Sequence, residues 1–269
     1  MRDPDVNLGL AVLVVLAFIG GAWYFRDAFL PQPEPPAAAP AEPAAPEAAV
    51  AEGPKYPVTP VERSEPPQRD LVPLPPLADS DRYFLAALVD IFGATIETFL
   101  VQEALIDKIV ATIDNLPREH VAEKIRPAGR LSESFSVDQA GGDGPIYLSP
   151  DNYRRYDPLL TKLASADINA VVDTYRRFYP LFQKSYERLG YPNSYFNDRV
   201  VEVIDHLLVV PPRPDEPIRL VRPHVLYKFA DPRLEALSSG QKLLLRMGPE
   251  HAATVRRFLQ ELRSELAPL

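Results

Sequence analysis

The chain contains no cysteine among its 269 residues, and only one tryptophan and two methionines. Without cysteine there is no disulfide, no thiolate metal site and no cysteine nucleophile. An excess of basic charge is missing too. The net charge is −8, of which residues 1–30 carry −1, residues 31–78 carry −4 and the remainder −3. A nearly neutral domain has no concentrated basic surface to gather nucleic acid, so no nucleic-acid partner is expected. Signature loops are absent as well. The glycines of GGDGP at 141–145 lack the Lys-Ser/Thr of a phosphate-binding loop. There is no G-x-S-x-G elbow, and Ser238-Ser239-Gly240-Gln241-Lys242 matches no nucleophile arrangement. No cofactor or metal is implied, and the balance tilts away from an enzyme.

One long apolar run is present. Val6 to Phe25 reads VNLGLAVLVVLAFIGGAWYF, without a charge. About 20 apolar residues at about 1.5 Å per residue match a hydrocarbon core of about 30 Å. The run is longer than the apolar stretch of a signal peptide, its leader carries Asp3 and Asp5 beside Arg2, and Trp23 and Tyr24 sit where interfacial anchors belong. Residues 1–30 are therefore expected to be an uncleaved single-pass membrane anchor. Arg2 and the α-amino group bias the N-terminus toward the cytoplasm. The C-terminal domain is then periplasmic, on the outer face of a bacterial inner membrane.

Residues 31–73 are expected to be a disordered Pro/Ala/Glu-rich tether. Fifteen prolines fall within positions 31–78, and proline fixes φ and removes hydrogen-bond donors. Extended, such a segment reaches on the order of 150 Å at about 3.1 Å per residue.

Residues 74–269 read as one globular, mainly α domain with a small β element. A helix is predicted from a cap at Asp79 or Ser80 to Phe92, stopped by Gly93, and another from Ile96 to Leu116, ended by Pro117. A short helix over PREHVAEKI follows, then Ser134–Val137 and Ile146–Leu148 as a small hairpin or a pair of extended segments. Asp167 caps a long helix to Gly190, with Pro180 inside it as an expected kink or break. Further helices are expected over 194–210, after Asp231-Pro232, after the capping box Ser238/Gln241, and from Pro249 to about Leu266. Ile218 to Phe229 alternates weakly and reads as extended. Lys242, Arg246, Arg256, Arg257 and Arg263 on the last two helices read as a solvated charged face.

Three groups of residues carry possible chemistry. Glu202, Asp205 and His206 have helical offsets of 0, 3 and 4, which place them on one face, with Asp198 one turn back. Two carboxylates and an imidazole could bind a divalent metal, with further ligands from elsewhere, or share a proton in acid–base catalysis, set against the plainer reading of a buried histidine bonded to a nearby carboxylate. Tyr195, Asn197, Asp198 and Arg199 offer a polar pocket for a sugar or peptide, or simply a helix cap. Tyr153, Arg154, Arg155 and Tyr156, with Tyr175, Arg176, Arg177 and Tyr179, are the residue types enriched in interaction surfaces, and they also cover core edges.

The strings TIDNLPR, NYRRYDP, YPLFQKSYERLGYPNSYFNDRVVEVIDHLL and RPHVLYKFADPRLEALSSGQKLLLRMGP resemble a family of bacterial envelope proteins, the domain of unknown function 3014, from about Leu74 onward. The resemblance implies one domain behind a single-pass anchor, and it supplies no activity or catalytic residue. The leading expectation is a tethered binding or scaffolding module whose partners are membrane lipid through residues 1–30 and an envelope protein or cell-wall polymer through the domain. The rivals are an envelope hydrolase using Glu202, Asp205, His206 or Asp198, and a self-associating structural domain.

Overall fold

Helical periodicity and turn residues account for most of the architecture. A computed structural model describes residues 53–58, 73–129, 134–139, 141–142, 144–165, 167–211, 216–224 and 226–267. The expected anchor at 1–30 and most of the tether at 31–73 lie outside the described residues. Among the described residues no helix is long and apolar enough to cross a membrane.

The domain is mainly helical, with a small antiparallel sheet. Helix α1 (Asp81–Phe92) turns Phe84, Leu88 and Ile91 inward at helical spacing and stops at Gly93, whose φ of 77° suits glycine. Ser80 does not cap it; its hydroxyl donates back to Leu77 O. The helix expected from Ile96 to Leu116 divides. Ala94–Phe99 forms 3-10 turns, the chain extends at Leu100 and Val101 to bond with the 127–128 segment, and α2 covers only Leu105–Asn115. Ala104 sits at φ 51°, and the Asp81 carboxylate accepts the N–H groups of both Ala104 and Leu105 at 2.8 Å. Helix α2 is thus capped from another helix. PREHVAEKI yields only a 3-10 turn at Glu123–Ile125.

Strands β1 (Val137–Gln139) and β2 (Ile146–Leu148) pair as expected for a hairpin, but β1 starts later than predicted. Buried Asn152 holds both the N–H and the C=O of Ser136, which takes that residue out of the ladder. The helices α3 (Asp151–Arg154), α4 (Asp157–Ala164), α5 (Ile168–Arg188) and α6 (Phe196–Leu208) follow. Asp167 caps α5 by accepting the Asn169 N–H. Pro180 does not break α5, which is continuous through 21 residues. Pro180 is exposed, so the carbonyl it leaves without a helical donor is on the wet side. Strands β3 (Arg219–Val221) and β4 (Lys228–Phe229) complete an antiparallel sheet of order β1-β2-β3-β4. Helices α7 (Pro232–Glu235), α8 (Ser239–Arg246) and α9 (Pro249–Leu266) close the chain.

Two apolar cores result. The larger is helical, with Phe84 edge-on to Phe178 and Phe182 at 5.0 and 5.4 Å, and Phe182 stacked on Tyr175 and Phe196. The smaller lies under the sheet and joins Leu148, Ile218, Leu220, Phe229, Leu234 and Leu245. Helix α8 belongs to both: Leu243, Leu244 and Met247 enter the large core and Leu245 the small one. For that reason Lys242 and Arg246 are buried, and the solvated face expected there does not exist on α8. Gly240 approaches so closely that a Cβ would lie 2.5 Å from Leu207 Cδ2.

Residues 53–58 lie on this domain. Tyr56 and Val58 pack against the large core, and the backbone of 55–56 bonds to α6. These six residues depart from the expectation of a featureless tether.

Candidate functional site

Helix α6 begins with Phe196 buried and turns Val200, Val203, Ile204 and Leu207 into the large core. The polar positions left between them, Asp198, Glu202, Asp205 and His206, then point to different neighbours. Asp198 accepts the N–H groups of Lys55 and Tyr56 at 2.9 and 2.8 Å. Glu202 is exposed and pairs with Arg199 at 3.2 Å. Asp205 takes a two-pronged bond from Arg263 of α9, which raises the arginine's pKa. His206 faces Ser238, with Nε2 2.9 Å from Oγ. The four residues grouped by spacing are thus not brought together, and among the described residues no three His, Asp or Glu side chains are grouped to hold a metal.

The polar set at the start of α6 serves the fold. Asn197 is buried; its Oδ1 accepts from the Tyr175 hydroxyl at 3.0 Å, and its Nδ2 donates to Tyr56 O and Leu266 O. Arg199 Nε donates to Asp114 Oδ1 at 2.9 Å and its Nη2 to Asp114 O at 2.8 Å. The Asp114 side chain is 5% exposed, and Arg118 and the Tyr191 hydroxyl also donate to it. Tyr195 precedes the helix with extended backbone and gives it no side-chain cap.

The tyrosine and arginine segments also disperse. Arg154 pairs with Asp151 at 2.7 Å, while Arg155 lies 6.0 Å over the Phe135 ring. Tyr156 is buried beside Arg246, and burial raises its pKa. Tyr153 packs its ring against Gly248, so it serves the turn between α8 and α9. On α5, Arg176 stands 3.8 Å from Asp173 and Arg177 lies over Phe178. Tyr175 belongs to the large core.

What the fold does assemble is an open cleft of about 580 Å³. Pro117 and Glu119 from the segment after α2, His206 from α6, Pro232, Glu235, Ala236 and Leu237 from α7 and its exit, and Ser238 and Gln241 from α8 line it. Ser238 is the cap of α8. Its Oγ accepts the Gln241 N–H at 3.3 Å while Gln241 Oε1 accepts the Ser238 N–H, a complete capping box. With a lone pair so engaged, the hydroxyl hydrogen suits His206 Nε2. Burial, and then the Arg199 charge, hold His206 below the usual imidazole pKa, so the neutral ring that accepts such a bond is favoured. Glu235 is fixed: Oε2 accepts the Phe229 N–H at 2.9 Å, and Oε1 is 3.5 Å from the buried Lys242 Nζ. Burial lowers the Lys242 pKa, and Glu235 opposes that shift. Of the two carboxylates in the cleft, Glu119 is the exposed one.

The backbone donors at the start of α8 are all engaged. Ser239 N–H goes to Arg118 O at 2.8 Å, Gly240 N–H to Leu116 O at 3.1 Å, and Gln241 N–H to Ser238 Oγ. Ser238, Gln241, Glu119 and Glu235 are residues that spacing alone did not single out as a site. The capping box marked Ser238 only as a helix start, and no local signal links it to a histidine 32 positions earlier.

Neither a comparison with curated proteins nor one with solved structures found a match. The family described as Protein of unknown function (DUF3014) matches residues 105–263, from the start of α2 into α9, and so takes in every residue of the cleft. With more than half of its length in that match, the chain belongs to the DUF3014 family.

Proposed function

We propose that this chain is a binding module rather than an enzyme, anchored by residues 1–30 in a bacterial inner membrane with its domain on the outer face. In this reading the cleft at His206 and Ser238 receives an envelope protein or cell-wall polymer. The observation that carries it is the engagement of every backbone donor around Ser238. Acyl transfer needs donors free to meet a developing oxyanion, and the N–H groups of residues 239, 240 and 241 are all bonded within the fold. The cleft keeps instead a concave wall of Pro117, Pro232 and Leu237 with polar groups set into it, the make-up of a recognition site. A photo-crosslinking residue at exposed Ala236, introduced in whole cells, should trap a discrete partner that the same residue at Gln260 on α9 does not. No adduct at Ala236 would refute the reading.

One observation favours an envelope hydrolase as a second reading. Ser238 Oγ and His206 Nε2 are 2.9 Å apart in an open cleft, and the imidazole is held toward its neutral, proton-accepting form. Asp198, Glu202 and Asp205 have no part in it, since each is engaged elsewhere. Unchanged cell-wall turnover in a Ser238→Ala strain removes this reading.

A further inference from the structure

Residues 53–58 lie on the domain, with Tyr56 and Val58 facing it while Gly53, Pro54, Lys55 and Pro57 are exposed. The chain bends at Lys55 and Tyr56, which turns two successive N–H groups to one side. The contacts that hold it are made to its backbone. Both oxygens of Asp198 are used, one on each of two successive N–H groups, and Asn197 Nδ2 donates to the Tyr56 carbonyl at 2.8 Å. A carboxylate that grips two adjacent amides, beside an amide that reads the next carbonyl, recognises a main chain in one direction and register. The side-chain requirement is an aromatic ring and, two positions on, an apolar side chain, both set against the large core. Proline at 57 has no N–H, and none of the bonds asks for one there.

Asn197 is held independently of the segment: it is buried, with its amide tied to Tyr175 and Leu266. Asp198 follows it on the same helix. The seated segment is shallow, since four of its six residues are exposed.

We infer that Asn197 and Asp198 form a recognition site for a bent peptide segment with an aromatic residue followed by proline and an apolar residue, and that residues 53–58 occupy it as an intramolecular ligand. The site lies outside the His206 cleft and stands whether or not the cleft binds anything. Its partner is a segment of the same chemistry in another protein, which has to displace the resident segment.

Amide hydrogen exchange on the full chain in detergent tests the first half. The Lys55 and Tyr56 amides should be protected, and Asp198→Ala should speed their exchange by about tenfold or more, the effect of losing a charge-assisted bond. A synthetic peptide of residues 51–60 tests the second half. It should bind the Tyr56→Ala chain, whose own segment is held less firmly, more tightly than the unaltered chain, and should not bind an Asp198→Ala, Tyr56→Ala chain. Circular dichroism confirms that the variants remain folded. Unprotected amides in the unaltered chain overturn the inference. So does a peptide that fails to bind Tyr56→Ala, or that binds irrespective of Asp198.

Discussion

Replacing Arg199 with leucine separates a structural arginine from a ligand-binding one. Arg199 places two nitrogens on Asp114, one on its carboxylate and one on its carbonyl, at 2.9 and 2.8 Å. The aspartate side chain is 5% exposed and the arginine side chain 24%. Removing one partner of a buried pair costs about 3–5 kcal/mol, because a charge is left in a poor medium. Here the loss is smaller. Arg118 still donates to Asp114 at 3.2 Å, the Tyr191 hydroxyl donates to it at 3.4 Å, and Arg199 was partly solvated. The expected cost is about 2–3 kcal/mol. For a domain near 200 residues that lowers Tm by roughly 5–10 °C. Urea unfolding followed by circular dichroism measures it. Asp114→Asn in the same background should recover part of the loss, with a coupling of about 1–2 kcal/mol. An Arg199→Leu protein that keeps its unfolding midpoint and loses only partner binding would refute the structural account.

Gly240→Ala should destabilise the domain by about 1–2 kcal/mol, because crowding Leu207 in the core outweighs the better helix propensity of alanine; a raised Tm is the contrary result. Asp81→Ala should remove the cap of α2 and cost about 1 kcal/mol, with faster amide exchange at Ala104 and Leu105 as its local signature. The pH dependence of stability should carry a His206 component. Its folded pKa lies below the ordinary value, so the native state binds fewer protons than the unfolded chain there, and stability falls as pH drops through the ordinary imidazole value near 6.5 toward the folded one. His206→Asn should flatten that segment of the Tm–pH curve, and an unchanged slope rejects the assignment.

Features carried by neighbouring residues were legible in the sequence. The caps at Asp167, Asp231 and Ser238, the stop at Gly93, and the Pro249 start of α9 all depend on groups within a few positions. Features that join distant segments were not. The cap of α2 comes from Asp81, 23 and 24 positions before the amides it receives, and the Ile96–Leu116 periodicity gives no sign of the break that this cap requires. The spacing of Glu202, Asp205 and His206 suggested one shared face, yet on α6 the three side chains point to different neighbours. Which neighbour each would choose was set by α8, α9 and the Arg199 network. Asp198 illustrates the limit, since its partners stand 142 and 143 positions earlier in a stretch whose composition suggested no structure at all. Burial of Lys242 and Arg246 was equally hidden, because a helix wedged between two cores has no wet side on which to place its cations.

That wedge makes α8 a shared keystone. The sheet has too few apolar side chains of its own to persist once Leu245 withdraws, and the helical layer loses Leu243, Leu244 and Met247 in the same event. Neither half is therefore expected to melt independently, and the domain should unfold cooperatively, as a unit.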